Sequence, residues 1–143
     1  RTPSRSLILA RLIRCTSVSV VKKVDPMKGL IIAAPWITLI LEGKKSWEIR
    51  GRSTKIRGKI ALIEKGTKTI VGYAELTDVK GPLSDAEVRK NKSKHAVDPK
   101  IILDPIDGYD DIYAWILTDV VKLRVPKPYR HKSGCVTWVN IPC

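Results

Sequence analysis

The chain alternates between short apolar runs and polar breaks. "GLIIAA" (Gly29–Ala34) has the length of a buried strand. Pro35 follows, and Gly43 closes the next segment. Between them Trp36, Leu39 and Ile40 fall at i, i+3 and i+4, one apolar face of a short helix. "SWEIR" then alternates, with Trp47 and Ile49 on one side and Ser46, Glu48 and Arg50 on the other. "GRSTKIRG" is a basic loop, and "KIALIEK" and "TIVGYAELTDV" are two strands turning near Gly66. Ser84 and Glu87 form a capping box that starts a second short helix. Residues 91–111 are expected to be a long loop with little regular structure. "IYAWIL" and "VVKLRV" are expected as two strands, "PKPYRHKSG" as a basic connection and "CVTWVNI" as a closing strand. Strands dominate. The fold class is mainly β (α+β), a small curved or closed β-barrel with short helical insertions.

Length and charge narrow this picture. The 143 residues suit one domain with a real core. Residues 1–26 carry six basic side chains and one acid, so the rest of the chain keeps +8 of the +13 total. They are expected to be a non-native or flexible extension, because a fresh strand pattern begins at Met27, the only methionine. A targeting segment, or a first packed element built on "SLILARLI", are the other readings. Residues 27–143 form the expected domain. Its basic excess favours polyanions, RNA or DNA first, as partners; a basic domain with no polyanion is the bland alternative. No apolar run is long enough to span a bilayer as a helix. Cys15, Cys135 and Cys143 are odd in number and far apart, which argues against a disulfide framework or a zinc site and for a reducing, cytoplasmic setting. Phosphate loops, nucleophile elbows and HExxH helices are missing from the sequence.

Candidate chemistry concentrates in "GKKSWEIR". Glu48 and Arg50 share a strand face and can form a charge-assisted pair. Lys45 joins them only if the chain bends between Gly43 and Ser46. A converged trio could hold phosphate or sugar oxygens, or supply a desolvated lysine and a general base. A solvated strand face is the alternative. Lys44 and Arg52 flank the trio as ligand contacts. Trp36, at a strand-to-helix junction, can stack on a base or pack in the core. Trp47, Trp115 and Trp138 belong to the core. Tyr113 alternates with Ala114 and is a candidate for the pocket. His95 and His131, the two histidines, lie in basic loops; either can serve as acid or base, and simple exposure is the alternative. Asp104, Asp107, Asp110 and Asp111 do not have EF-hand spacing, so a solvated acidic loop is expected, with no metal and no cofactor.

The strand, the Pro-Trp helix and "GKKSWEIR" together resemble the ASCH domain family, whose signature is GxKxxExR; the matching positions are Gly43, Lys45, Glu48 and Arg50. "RGKIAL", "GYAELTDVKGPLS", "YAWIL" and "GCVTWVNI" extend the resemblance over most of Met27 to Ile141. It implies a PUA-like barrel associated with RNA, with Lys45 and Glu48 at its site. It also implies two enzymatic alternatives, since relatives remove the acetyl group of 4-acetylcytidine and others cleave RNA. Those amidohydrolases use the motif lysine, a threonine where this chain has Glu48, and a later glutamate, for which Glu87 is the candidate here. The leading expectation is a domain that binds RNA or a nucleotide in a basic cleft around Lys45, Glu48 and Arg50. A small hydrolase acting on RNA or a modified nucleoside, and a protein-interaction module, are the alternatives.

Overall fold

The computed structural model describes residues 27–141, so the expectation for residues 1–26 lies outside the described residues. The elements in chain order are β1 (Met27–Ile32), α1 (Trp36–Leu41), β2 (Trp47–Arg50), β3 (Gly58–Glu64), β4 (Thr69–Lys80), α2 (Asp85–Lys90), α3 (Lys92–His95), α4 (Pro99–Ile102), β5 (Tyr113–Pro128) and β6 (Trp138–Ile141). The strands form one six-stranded sheet in the order β2-β5-β4-β3-β1-β6. β1 runs parallel to β3, and every other neighbouring pair is antiparallel.

Strand β3 shows why the sheet curls. Ile60, Ala61, Leu62 and Ile63 are all buried, so both faces of β3 are covered. Ile60 and Leu62 enter the interior cluster with Leu30, Leu76, Trp115 and the α1 residues Ile37 and Ile40. Ala61 and Ile63 pack outward against Ile31, Ile70 and Val139. Register shifts along the long antiparallel β4–β5 pair mark bulges, which bend and twist strands. The hydrogen-bonded ladder runs from β2 to β6, and side chains connect the strands at its two ends. Trp115 of β5 stacks on Trp138 of β6 with ring centroids 5.6 Å apart. The Arg50 guanidinium of β2 donates to the Ile31 carbonyl of β1 at 2.8 Å.

Two expectations need correction. "IYAWIL" and "VVKLRV" belong to one strand, because β5 passes through Asp119 at φ +51 and resumes pairing with β4 beyond it. Between Thr118↔Glu75 and Val121↔Tyr73 β5 spends one residue more than β4, the signature of a bulge. The loop expected at 91–111 contains α3 and α4. Each is a single turn, too short for periodicity to register. Asp98 caps α4 by accepting from the Lys100 N–H at 3.0 Å, and Pro99 follows it. Leu83, Val88, Val97 and Ile102 seat the insertion against Trp47, Ile49 and Ala114.

Candidate nucleic-acid interface

Helix α1 ends at a reversal that delivers Lys45. Gly43 has φ +79, a conformation glycine takes without a Cβ penalty. The Gly43 N–H bonds to Ile40 O, and those of Lys44 and Lys45 to Leu39 O. Strand geometry therefore starts only at Trp47, and Lys45 turns inward from the bend. The Ser46 N–H then bonds to Lys94 O, while its carbonyl accepts from Leu117, which ties the bend to the insertion and to β5.

The three motif charges do meet. Lys45 is 2% exposed. Its Nζ donates to Trp47 O at 2.7 Å and His95 O at 2.6 Å, and stands 3.7 Å from Glu48 Oε1. The other carboxylate oxygen, Oε2, accepts from Arg50 Nε at 3.0 Å and pairs with Nη2 at 2.9 Å. Arg50 also lies over the Trp115 ring, 5.6 Å from its centroid, and Lys45 lies 5.7 Å from that of Trp36. Burial pushes the Lys45 ammonium below the ordinary lysine range; Glu48 opposes this and Arg50 adds to it.

These groups floor a cleft of about 280 Å³ between the sheet edge and the insertion. Trp36, Ile101 and Tyr109 form walls, and Lys65 of the β3–β4 turn stands at one end with Val136. The size is near the small end of ligand pockets, about 300–1,000 Å³. Tyr109 packs over Gly51, where an added Cβ would come within 3.2 Å of its ring. Burial raises the Tyr109 phenol, the Glu48 charge adds to the rise, and Arg50 counters it.

Of the residues singled out from sequence, Trp36, Lys45, Glu48 and Arg50 line the cleft. Lys44, Arg52, Tyr113 and His95 are not among its lining residues. Lys44 is exposed and pairs with Glu42 at 3.4 Å. Arg52 is exposed too, and its backbone carbonyl takes the Trp115 indole N–H at 2.9 Å. Tyr113 pairs with Arg50 in the ladder and packs against the interior cluster. His95 is fully buried, so the exposed-loop alternative does not hold for it. Its Nδ1 accepts from the Val97 N–H at 3.1 Å, which leaves the proton on Nε2, 2.7 Å from Val88 O. Glu87 closes the capping box with Ser84, away from the cleft. Tyr109, Ile101, Lys65 and Val136 were missed from sequence. A lone tyrosine in the acidic stretch "IDGYDD" was the available signal.

A curled, mainly antiparallel sheet with a helical insertion beside its edge is a PUA-like architecture, of a class associated with nucleic acid. The ASCH domain family model matches residues 30–132, and the chain belongs to that family. The match stops before β6, although the sequence resemblance was expected to reach Ile141. Among solved structures the chain resembles ASCH from Zymomonas mobilis, with a TM-score of 0.58 at 16% identity over 72% of this chain and 73% of that one. A tyrosine-to-phenylalanine variant of the same protein gives 0.59 at 19% identity, over 72% and 76% of the two chains. A serine-to-alanine variant gives 0.66 at 16% identity, over 82% and 89%. At such identities the likeness concerns the fold. No curated protein matches the sequence.

Proposed function

We propose that the chain is an RNA- or nucleotide-binding domain and that the Lys45–Glu48–Arg50 cleft is its binding site. The observation that carries this reading is the convergence of the three charges on one floor between aromatic walls, Trp36 and Tyr109. A base packs against the aromatic and aliphatic walls, and phosphate or sugar oxygens meet the cationic side. The net charge of +13 supplies a long-range attraction for polyanions.

The hydrolase reading draws on the desolvated Lys45 beside Glu48. Two features favour binding over amide hydrolysis. Lys45 already donates to two backbone carbonyls. Among the described residues that line the cleft, Glu48 is the sole carboxylate, and Arg50 holds it.

The test compares wall residues with a cation elsewhere. Tyr109→Leu and Ile101→Glu alter exposed cleft walls, whereas Arg124 is exposed on β5 and does not line the cleft. In fluorescence anisotropy with single-stranded RNA, each wall variant is expected to weaken binding roughly ten-fold, Tyr109→Leu through one lost base stack and Ile101→Glu through a negative charge set against the RNA phosphates. Arg124→Ala is expected to change it less than about two-fold, the loss of one screened surface charge. Equal losses from all three would reduce the interaction to bulk charge attraction. Release of acetate from 4-acetylcytidine, or cleavage of the RNA, would move the reading to the hydrolase.

A further inference from the structure

Lys65 is a shared wall. On its other side lies a second cavity, of about 270 Å³, which has Ile31, Lys65 and Val136 in common with the first. Lys68, Tyr129 and His131 line this cavity over Ile31 and Ile63, and Glu64 contributes the carboxylate on its wall. The two cavities are similar in size and adjoin at Ile31, Lys65 and Val136.

Hydrogen bonds fix the backbone of the turn that carries these lysines. The Lys65 N–H bonds to Ile32 O at 2.9 Å, and the Thr67 hydroxyl donates to Glu64 O at 2.9 Å. The Tyr129 N–H reaches Lys68 O at 3.4 Å, which fastens the turn to the end of β5. Among the described residues neither Lys65 nor Lys68 takes part in an ion pair. Opposite them stands an aromatic pair. The Tyr129 hydroxyl and His131 Nδ1 are 2.7 Å apart, with ring planes inclined at 70°. Tyr129 packs on the outer cluster that contains Ile31 and Ile63.

We propose that this second cavity is a subsite for the adjacent nucleotide of a single RNA strand whose first nucleotide lies in the Lys45–Glu48–Arg50 cleft. The inference rests on the nucleic-acid reading of that cleft and deepens it. Lys65, at the shared wall, meets the phosphate that joins the two nucleotides. Lys68 meets the phosphate beyond it. The second base packs on the Tyr129–His131 face above the apolar floor, a contact that tolerates any base because every base has a π-face. The ligand class is therefore single-stranded RNA of at least two nucleotides.

The experiment titrates the full chain with uridine monophosphate and with a six-nucleotide uridine RNA. Lys68 has φ +56, so Lys68→Asn removes its charge with a residue that tolerates this conformation. Tyr129→Leu removes the aromatic face and keeps apolar volume. The hexamer is expected to bind at least ten-fold more tightly than the monophosphate, since a second base stack is gained. Tyr129→Leu should cost the hexamer about ten-fold by removing that stack. Lys68→Asn should lower its log–log salt slope by about 0.7, one phosphate contact. Neither variant should change monophosphate affinity. Lys68→Asn, at an exposed position, keeps the test decisive if Tyr129→Leu fails to fold. Equal binding of the two probes, or losses shared by both, overturns the second subsite and leaves the first cleft standing. A wild-type chain that binds neither probe overturns both readings.

Discussion

Lys45 and His95 carry one device between them, a buried cation resting on the backbone of a buried neutral imidazole. The Lys45 ammonium holds the His95 carbonyl, and the His95 ring locks the residues on either side of it, Val88 and Val97. Burial depresses the His95 pKa below the ordinary histidine value; its bond to Val88 O opposes this, and the charges of Lys45 and Lys92 add to it. Between the depressed folded value and the unfolded value, about 6.5, the unfolded chain binds more protons. Stability is therefore expected to fall as pH drops below about 6.5, until the folded ring itself takes a proton. Melting temperatures at pH 7.5 and 5.5 measure this. His95→Gln should flatten the dependence and lower the pH 7.5 value. An unchanged slope in His95→Gln would place the titration on other groups.

At the scale of elements, the insertion between β4 and β5 supplies one wall of the cleft yet is built from three short helices. Helices of four to six residues cannot hold themselves together in water, so caps and packing must do so. Helix α2 has reciprocal cap bonds, with the Ser84 hydroxyl accepting from the Glu87 N–H at 3.1 Å and Glu87 Oε1 accepting from the Ser84 N–H at 2.9 Å. Ser84→Ala is expected to cost about 1 kcal/mol. Hydrogen exchange should show the loss concentrated in α2, and uniform loosening would show that the cap has no local role. The capping box was legible because it is a four-residue pattern. Helices α3 and α4 were not, because α3 is held by the Lys45 bond to the His95 carbonyl and α4 by Ile102 in a cluster with Trp47, Ile49 and Ala114, all distant in sequence.

Over the whole molecule, Arg50 links the site to the closure of the fold. Its guanidinium binds Glu48 on its own strand and the Ile31 carbonyl on β1, across the gap between the two sheet edges. Arg50→Ala is expected to destabilise by on the order of 3 kcal/mol, since it breaks a mostly buried pair and frees the carbonyl. Thermal unfolding should show a drop of roughly 10 °C. Arg50→Lys should recover only part of it, because one ammonium cannot reproduce the two-sided fork. A melting point unmoved by Arg50→Ala would mean that stacking of Trp115 on Trp138 closes the sheet unaided.

Local pattern alone determined the class of the fold, the position of most strands along the chain, the end of the first helix at Gly43 and the shared strand face of Glu48 and Arg50. Each depends on spacing within a few residues, where alternation, a glycine past a helix end, or an i, i+2 relation fixes geometry directly. The tertiary structure decided which charges face a common space. It turned Lys45 inward from the bend and buried His95 as a scaffold. It directed Lys44 to solvent and Tyr113 to the interior cluster, and it brought Tyr109 and Lys65 to the cleft from segments far along the chain. Sequence spacing could not reveal these placements, because a pocket wall is set by how the sheet curls and where the insertion docks. Both are sums of many long-range contacts that leave no local period.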